Sequence, residues 1–169
     1  MSATIINLYG GPGTGKSTTA TALFSIMKND DINCEYVGEF AKELTWQDNI
    51  SALKCQPYVF GNQYYRLFYL KDKVDYIITD SPILLSAIYD TSGSESFKNV
   101  VKECYNQFNN IDIFLSRTKR YNPSGRNQTE YEARTIDTKI YQFLILNDIN
   151  AHVLSATKDV QYKIAELLQ

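Results

Sequence analysis

The chain has 169 residues, enough for one domain with a full core, and 44% of them are apolar, 13% aromatic and 21% charged, which excludes a disordered or fibrous chain. Its formal net charge is −2, so nothing in the overall charge draws it to nucleic acid or to a membrane surface. Three widely spaced cysteines, Cys34, Cys55 and Cys104, fit neither a disulfide framework nor a metal-ligand spacing, and the expectation is buried, reduced thiols in a cytoplasmic protein.

Apolar and polar residues alternate between strand and helix patterns from end to end, with no repeat and no linker. The run Thr4-Ile5-Ile6-Asn7-Leu8-Tyr9 reads as the first strand. It leads into Gly10-Gly11-Pro12-Gly13-Thr14-Gly15-Lys16-Ser17, which satisfies G-x-x-x-x-G-K-[ST]. A helix follows over 18–28, with Ala20, Leu23, Phe24 and Met27 on one face. Strand, glycine-rich loop and helix in this order make an anion cradle. Glycines let successive N–H groups converge, the helix start adds its own unpaired N–H groups, and a lysine adds a mobile charge. Gly11, Gly13, Thr14, Gly15, Lys16, Ser17 and Thr18 are therefore expected to hold the phosphates of ATP, with the Ser17 hydroxyl on Mg²⁺.

Strand two is expected at 34–37, and 40–53 as helix interrupted near Trp46. A long aromatic helix is expected over 58–73, strand three over 74–79, a short helix at 83–89 and a further one from Phe97 to Phe108. Strand four is expected at 111–115, a polar, basic loop at 117–128, then helix carrying Ala133, Ile136, Ile140, Phe143 and Leu144. Strand five falls at 151–154, and the last helix at 158–168. His152, the single histidine, reads as a structural residue in that strand.

Two carboxylates fall just past strand ends, where open α/β sheets bind ligands. Asp80 ends Ile77-Ile78-Thr79-Asp80 and suits the second magnesium-site position of a P-loop protein. Glu39 follows strand two and can take the proton of an acceptor hydroxyl, with Phe40 beside it in the acceptor site. Its simpler reading is a carboxylate that favours a helix N-terminus. Gln63 and Arg66 lie three apart on one helical face, away from Tyr64, Leu67 and Phe68. An amide there can read a nucleobase edge, and the guanidinium can pair with a carboxylate or phosphate. Arg117, Arg120 and Arg126 crowd the basic segment and could stabilise a transferring phosphoryl group. Ala156, after strand five, is positioned to offer backbone to adenine.

Together these motifs resemble the P-loop nucleoside and nucleotide kinases, in particular the small AAA-like kinases common in phages, and more distantly nicotinamide-riboside and deoxynucleoside kinases. The resemblance implies a single three-layer α/β domain over 1–169, with a five-stranded parallel sheet ordered 2-3-1-4-5 and a lid at about 117–130. It also implies ATP and Mg²⁺ as cofactors, Glu39 as base toward a 5′-hydroxyl, and Gln63 as the base-reading residue. The deoxynucleoside kinases carry an arginine after the strand-three carboxylate. Here Asp80-Ser81-Pro82 lacks it, so its role passes to Arg66 or the basic segment. The acceptor is expected to be a nucleoside or nucleotide. A 5-hydroxymethyluracil in DNA, or no acceptor at all in a switch ATPase, are the alternatives. Monomer and homodimer stay open.

Overall fold

A computed structural model describes residues 2–118 and 129–168. Arg120 and Arg126 lie outside the described residues.

The strands β1 (Thr4–Tyr9), β2 (Cys34–Val37), β3 (Tyr76–Thr79), β4 (Asn109–Ser116) and β5 (His152–Ser155) form one parallel sheet in the order β2-β3-β1-β4-β5. Parallel neighbours need helical crossovers, and the chain supplies them. These are α1 (Lys16–Asn29), α2 (Phe40–Trp46), α3 (Ile50–Lys54), α4 (Gln56–Phe68), α5 (Leu85–Tyr89), α6 (Glu95–Tyr105), α7 (Glu130–Leu146) and α8 (Val160–Glu166). Strand β1 is central, in register with β3 from Thr4↔Tyr76 and with β4 as far as Tyr9↔Phe114.

The period of two along β1 divides the core. Ile5 and Tyr9 face Phe60, Leu67, Phe114, Ile140 and Leu144, from α4, β4 and α7. Ile6 and Leu8 face Leu23, Met27, Ile113 and Ile164, from α1, β4 and α8. Asn7 breaks the apolar run on the first face and is satisfied across the sheet. Its amide donates to Asn110 Oδ1 at 2.9 Å and Asp112 Oδ1 at 3.1 Å, and the Tyr105 hydroxyl donates to Asp112 Oδ2. Burial pushes the Asp112 carboxyl above its ordinary range, and the Tyr105 hydrogen bond partly offsets this.

Several element bounds differ from the sequence reading. The expected helix over 58–73 ends at Phe68, because Leu70 and Lys73 N–H groups turn back to Leu67 and Leu70 carbonyls before β3 begins. The interruption near Trp46 resolves as two helices, α3 being capped by the Asn49 side chain on Ala52 N–H. Of the cysteines only Cys34 is buried. Cys55 is exposed and Cys104 half-buried, so the expectation of buried thiols holds for Cys34 alone. His152 is exposed at the start of the edge strand β5. Among the described residues no helix is long and apolar enough to cross a membrane.

Candidate active site

The glycine-rich loop leaves the C-terminal end of β1 and enters α1. Gly10 has φ 145°, and a Cβ there would lie 2.8 Å from Thr14 Oγ1 and 3.1 Å from the Leu115 carbonyl, so only glycine fits. Gly15, at φ 101°, caps α1 with no side-chain hydrogen bond. The first-turn N–H groups of Lys16, Ser17 and Thr18 therefore have no helical acceptor and carry the positive end of the helix dipole. The Lys16 ammonium donates to the Gly10 carbonyl at 2.7 Å and to the Gly11 carbonyl at 3.2 Å. Desolvation lowers its pKa. The negative charges of Glu39, Asp80 and Asp137 act in the opposite sense.

Those carboxylates are therefore neighbours of the same ammonium. Glu39 occupies the N-cap position of α2, where the helix dipole favours a carboxylate, and its side chain makes no capping hydrogen bond. Burial raises its pKa, Lys16 pulls it down, and Asp80 raises it further. Asp80 follows β3 and is 2% exposed, and its Oδ1 has no hydrogen-bond partner. Two phenols that the sequence reading missed border this cluster. Tyr36, on β2, has its pKa pushed up by burial and then by Asp80. Tyr89, at the end of α5, has its own pushed up by burial and then by Glu39.

Among the described residues no cluster of three or more His, Cys, Asp or Glu could hold a metal ion by itself. A magnesium ion on a nucleotide needs fewer protein ligands, because it is held by phosphate oxygens, water and one or two side chains. A buried carboxylate oxygen with no partner, beside a loop that ends in Ser17 at a helix N-terminus, fits that donor set.

Three of the expected site residues are engaged by protein partners. Gln63, expected on a face away from Leu67, is 2% exposed and shares the interior with it. Its Oε1 accepts from Phe40 N–H at 3.0 Å, and its Nε2 donates to the Gly38 carbonyl at 3.3 Å and reaches Thr79 Oγ1 at 3.5 Å. The amide thus braces the turn that carries Glu39 instead of presenting a free edge to a base. Arg66 forms a two-pronged pair with Glu43, at 2.8 and 2.9 Å, and lies 5.0 Å over the Phe40 ring. It tacks α4 to α2, and Phe40 is buried beneath it.

Arg117 follows β4 outside any helix or strand, as expected, and its side chain is engaged as well. It leaves β4 with its side chain 4% exposed, donating from Nε to Asp137 Oδ2 at 2.9 Å and from Nη2 to the Pro12 carbonyl at 2.8 Å. Asp137 was not foreseen. The signal was its spacing, since Ala133, Asp137, Ile140 and Leu144 form one helical stripe, and a carboxylate in an inward stripe must be partnered.

A cleft of about 140 Å³ opens beside the loop. Thr14, Gly15, Thr18, Ala156, Thr157 and Gln161 are among its walls. Ala156 N–H is engaged by the Ser116 carbonyl at 2.9 Å, and the Ala156 carbonyl accepts from Thr118 Oγ1 at 2.7 Å. Only the second lone pair of that carbonyl is left for a base.

A family model described as an AAA domain (AAA_28) matches residues 5–163, and the chain belongs to that family. Its fold is that of the P-loop kinases. The thymidylate kinase of Ehrlichia chaffeensis superposes with a TM-score of 0.57 at 13% identity, covering 99% of each chain. A deoxyadenosine kinase from M. mycoides, solved with bound dATP, superposes with a TM-score of 0.57 at 21% identity, covering 97% of each chain. No curated protein matches the sequence.

Proposed function

We propose that the protein is a P-loop phosphotransferase that moves the γ-phosphoryl group of ATP to a hydroxyl of a nucleoside or nucleotide. The observation that carries this reading is the convergence of Lys16, Glu39 and Asp80 on the carboxyl ends of β1, β2 and β3, around one ammonium and one glycine-rich loop. Two kinases of nucleosides or nucleotides share the fold, which agrees with it.

Each residue then has a task. The loop N–H groups and Lys16 hold the β- and γ-phosphates. The donor base enters the cleft between α1 and Ala156. Magnesium, when bound through Ser17 and Asp80, neutralises phosphate charge. The acceptor hydroxyl gives its proton to Glu39, its oxygen bonds to the γ-phosphorus, and the bond to the β–γ bridging oxygen breaks to leave ADP. Burial makes Glu39 a stronger base than a solvated carboxylate, which suits that step. Gln63 fixes the turn that carries Glu39, and Arg117 fixes the phosphate loop.

The test is a screen of γ-labelled ATP with magnesium against nucleosides, mononucleotides and DNA containing modified pyrimidines. Label transfer to a monomeric acceptor is the expected result. ATP hydrolysis at a rate indifferent to every acceptor would contradict the reading. Transfer confined to DNA, with affinity falling steeply as salt rises, would replace the monomeric acceptor by a polymer.

A further inference from the structure

The phosphate loop does not stand alone on β1. Its first turn rests on α7. Gly11 N–H donates to Asp137 Oδ1 at 2.6 Å, while Asp137 Oδ2 accepts from Arg117 Nε, whose other arm reaches the Pro12 carbonyl. The approach is close enough to demand glycine at position 11. A Cβ there would sit 2.6 Å from Asp137 Oδ1 and 2.7 Å from the Ala133 carbonyl. One carboxylate thus joins three segments, namely the loop, the exit of β4 and the second turn of α7. Its one direct contact to the loop occupies Gly11 N–H, which is thereby taken from the phosphate, and leaves the first-turn N–H groups of α1 clear for the anion.

We propose that Asp137 is a positioning residue of the nucleotide site, holding the first turn of the phosphate loop against α7 and holding Arg117 across that turn. This rests on the reading of the loop as a nucleotide cradle. Without Asp137 the loop keeps its glycines and Lys16 but loses the anchor that sets where its N–H groups point, and Arg117 loses its carboxylate. Pre-set donors bind an anion without first having to be ordered, so loss of the anchor weakens binding of every nucleotide that uses the loop.

The test measures ATP and ADP affinity by equilibrium binding, with thermal melting on the same samples. Wild type, Asp137→Ala, Asp137→Asn, Gly11→Ala and the Asp137→Ala/Gly11→Ala pair are compared. Asp137→Ala is expected to raise Kd for ATP and ADP alike, by roughly tenfold, since two buried donors lose their acceptor. Asp137→Asn, which keeps a carbonyl for Gly11 N–H but not the charge for Arg117, is expected to lose less. Gly11→Ala, which forces the loop off α7 without touching the carboxylate, should reproduce the loss, and the double variant should lose much less than the product of the two single effects.

A wild-type protein that binds neither nucleotide would overturn the kinase reading itself. A wild type that binds ATP, with folded Asp137→Ala or Asp137→Asn melting lower but binding nucleotide as tightly, would make Asp137 merely structural and overturn this proposal. If Asp137→Ala does not fold, the isosteric Asp137→Asn and Gly11→Ala decide the matter by the same comparison.

Discussion

Replacing Gln63 by Ala separates the role its position suggests from the role its contacts give it. Removing the side chain leaves Phe40 N–H as a buried donor without an acceptor, at a cost of about 1–3 kcal/mol. It also removes one buried methylene, worth about 0.8 kcal/mol. The Gly38 carbonyl and Thr79 hydroxyl lose a donor as well, although Thr79 Oγ1 keeps Ser81 N–H. The sum is about 2–4 kcal/mol, and because the chain is of medium size this corresponds to a fall in Tm of about 5–15 °C. Urea denaturation gives the energy. Steady-state kinetics with several acceptors gives the second readout. The turn carrying Glu39 loosens for all acceptors alike, so kcat should fall by a similar factor for each, with base preference unchanged. A Gln63→Ala protein as stable as wild type but altered in base preference would refute this reasoning and return the amide to the base.

Lys16→Met should abolish nucleotide binding and transfer while leaving a folded protein, because the Gly10 and Gly11 carbonyls it releases can be hydrated; near-normal turnover checked by label transfer would contradict the assignment. Asp80→Asn and Glu39→Gln should fail differently, since raised magnesium restores part of the activity lost in Asp80→Asn but none of that lost in Glu39→Gln. Wild-type kcat should rise with pH through the raised pKa of Glu39 and then level, because the base must be unprotonated to act, and a flat profile would remove Glu39 from proton transfer. Asp112 has a folded pKa above its unfolded value, so the stability it contributes is full below the unfolded pKa, about 3.9, and is lost as pH rises through the folded one. The stability of wild type relative to Asp112→Asn, from urea melts across pH, should therefore be greatest in acid and decline upward, and a difference constant with pH would count against it.

Strand alternation and the glycine-lysine-serine run were legible because both are local patterns, with periods of two and 3.6 and a loop whose chemistry depends on adjacent residues. The sheet order followed from the family resemblance that those patterns support. The places of Glu39 and Asp80, though not the tasks proposed for them, were legible for a similar reason, as Asp80 directly follows β3 and Glu39 follows β2 after one glycine. The inward faces of α1, α7 and α8 were legible from their apolar spacing, whereas the surroundings of Gln63 and Arg66 on α4 were not. The spacing of Gln63 and Arg66 is correct, but the same spacing serves a buried amide beside a surface ion pair, and only the approach of the Phe40 N–H distinguishes them. Arg117 was grouped with the basic residues after it because they are contiguous, whereas its side chain turns back to Pro12, more than a hundred residues earlier. Asp137 could have been found from its place in an inward stripe, though its partners could not, since both contacts to Gly11 and Arg117 are tertiary.

The central claim is that one cleft holds a phosphoryl donor on the glycine-rich loop and an acceptor hydroxyl beside Glu39. The most direct measurement is single-turnover transfer of the γ-phosphoryl group from labelled ATP, with magnesium, to a panel of nucleosides and mononucleotides, run in parallel for wild type and Glu39→Gln at matched ATP saturation. Labelled acceptor from wild type, with Glu39→Gln binding ATP equally but transferring at least a hundredfold more slowly, about the contribution of a general base, is the predicted result. Equal transfer by both proteins, or release of inorganic phosphate with no labelled acceptor from either, would contradict it.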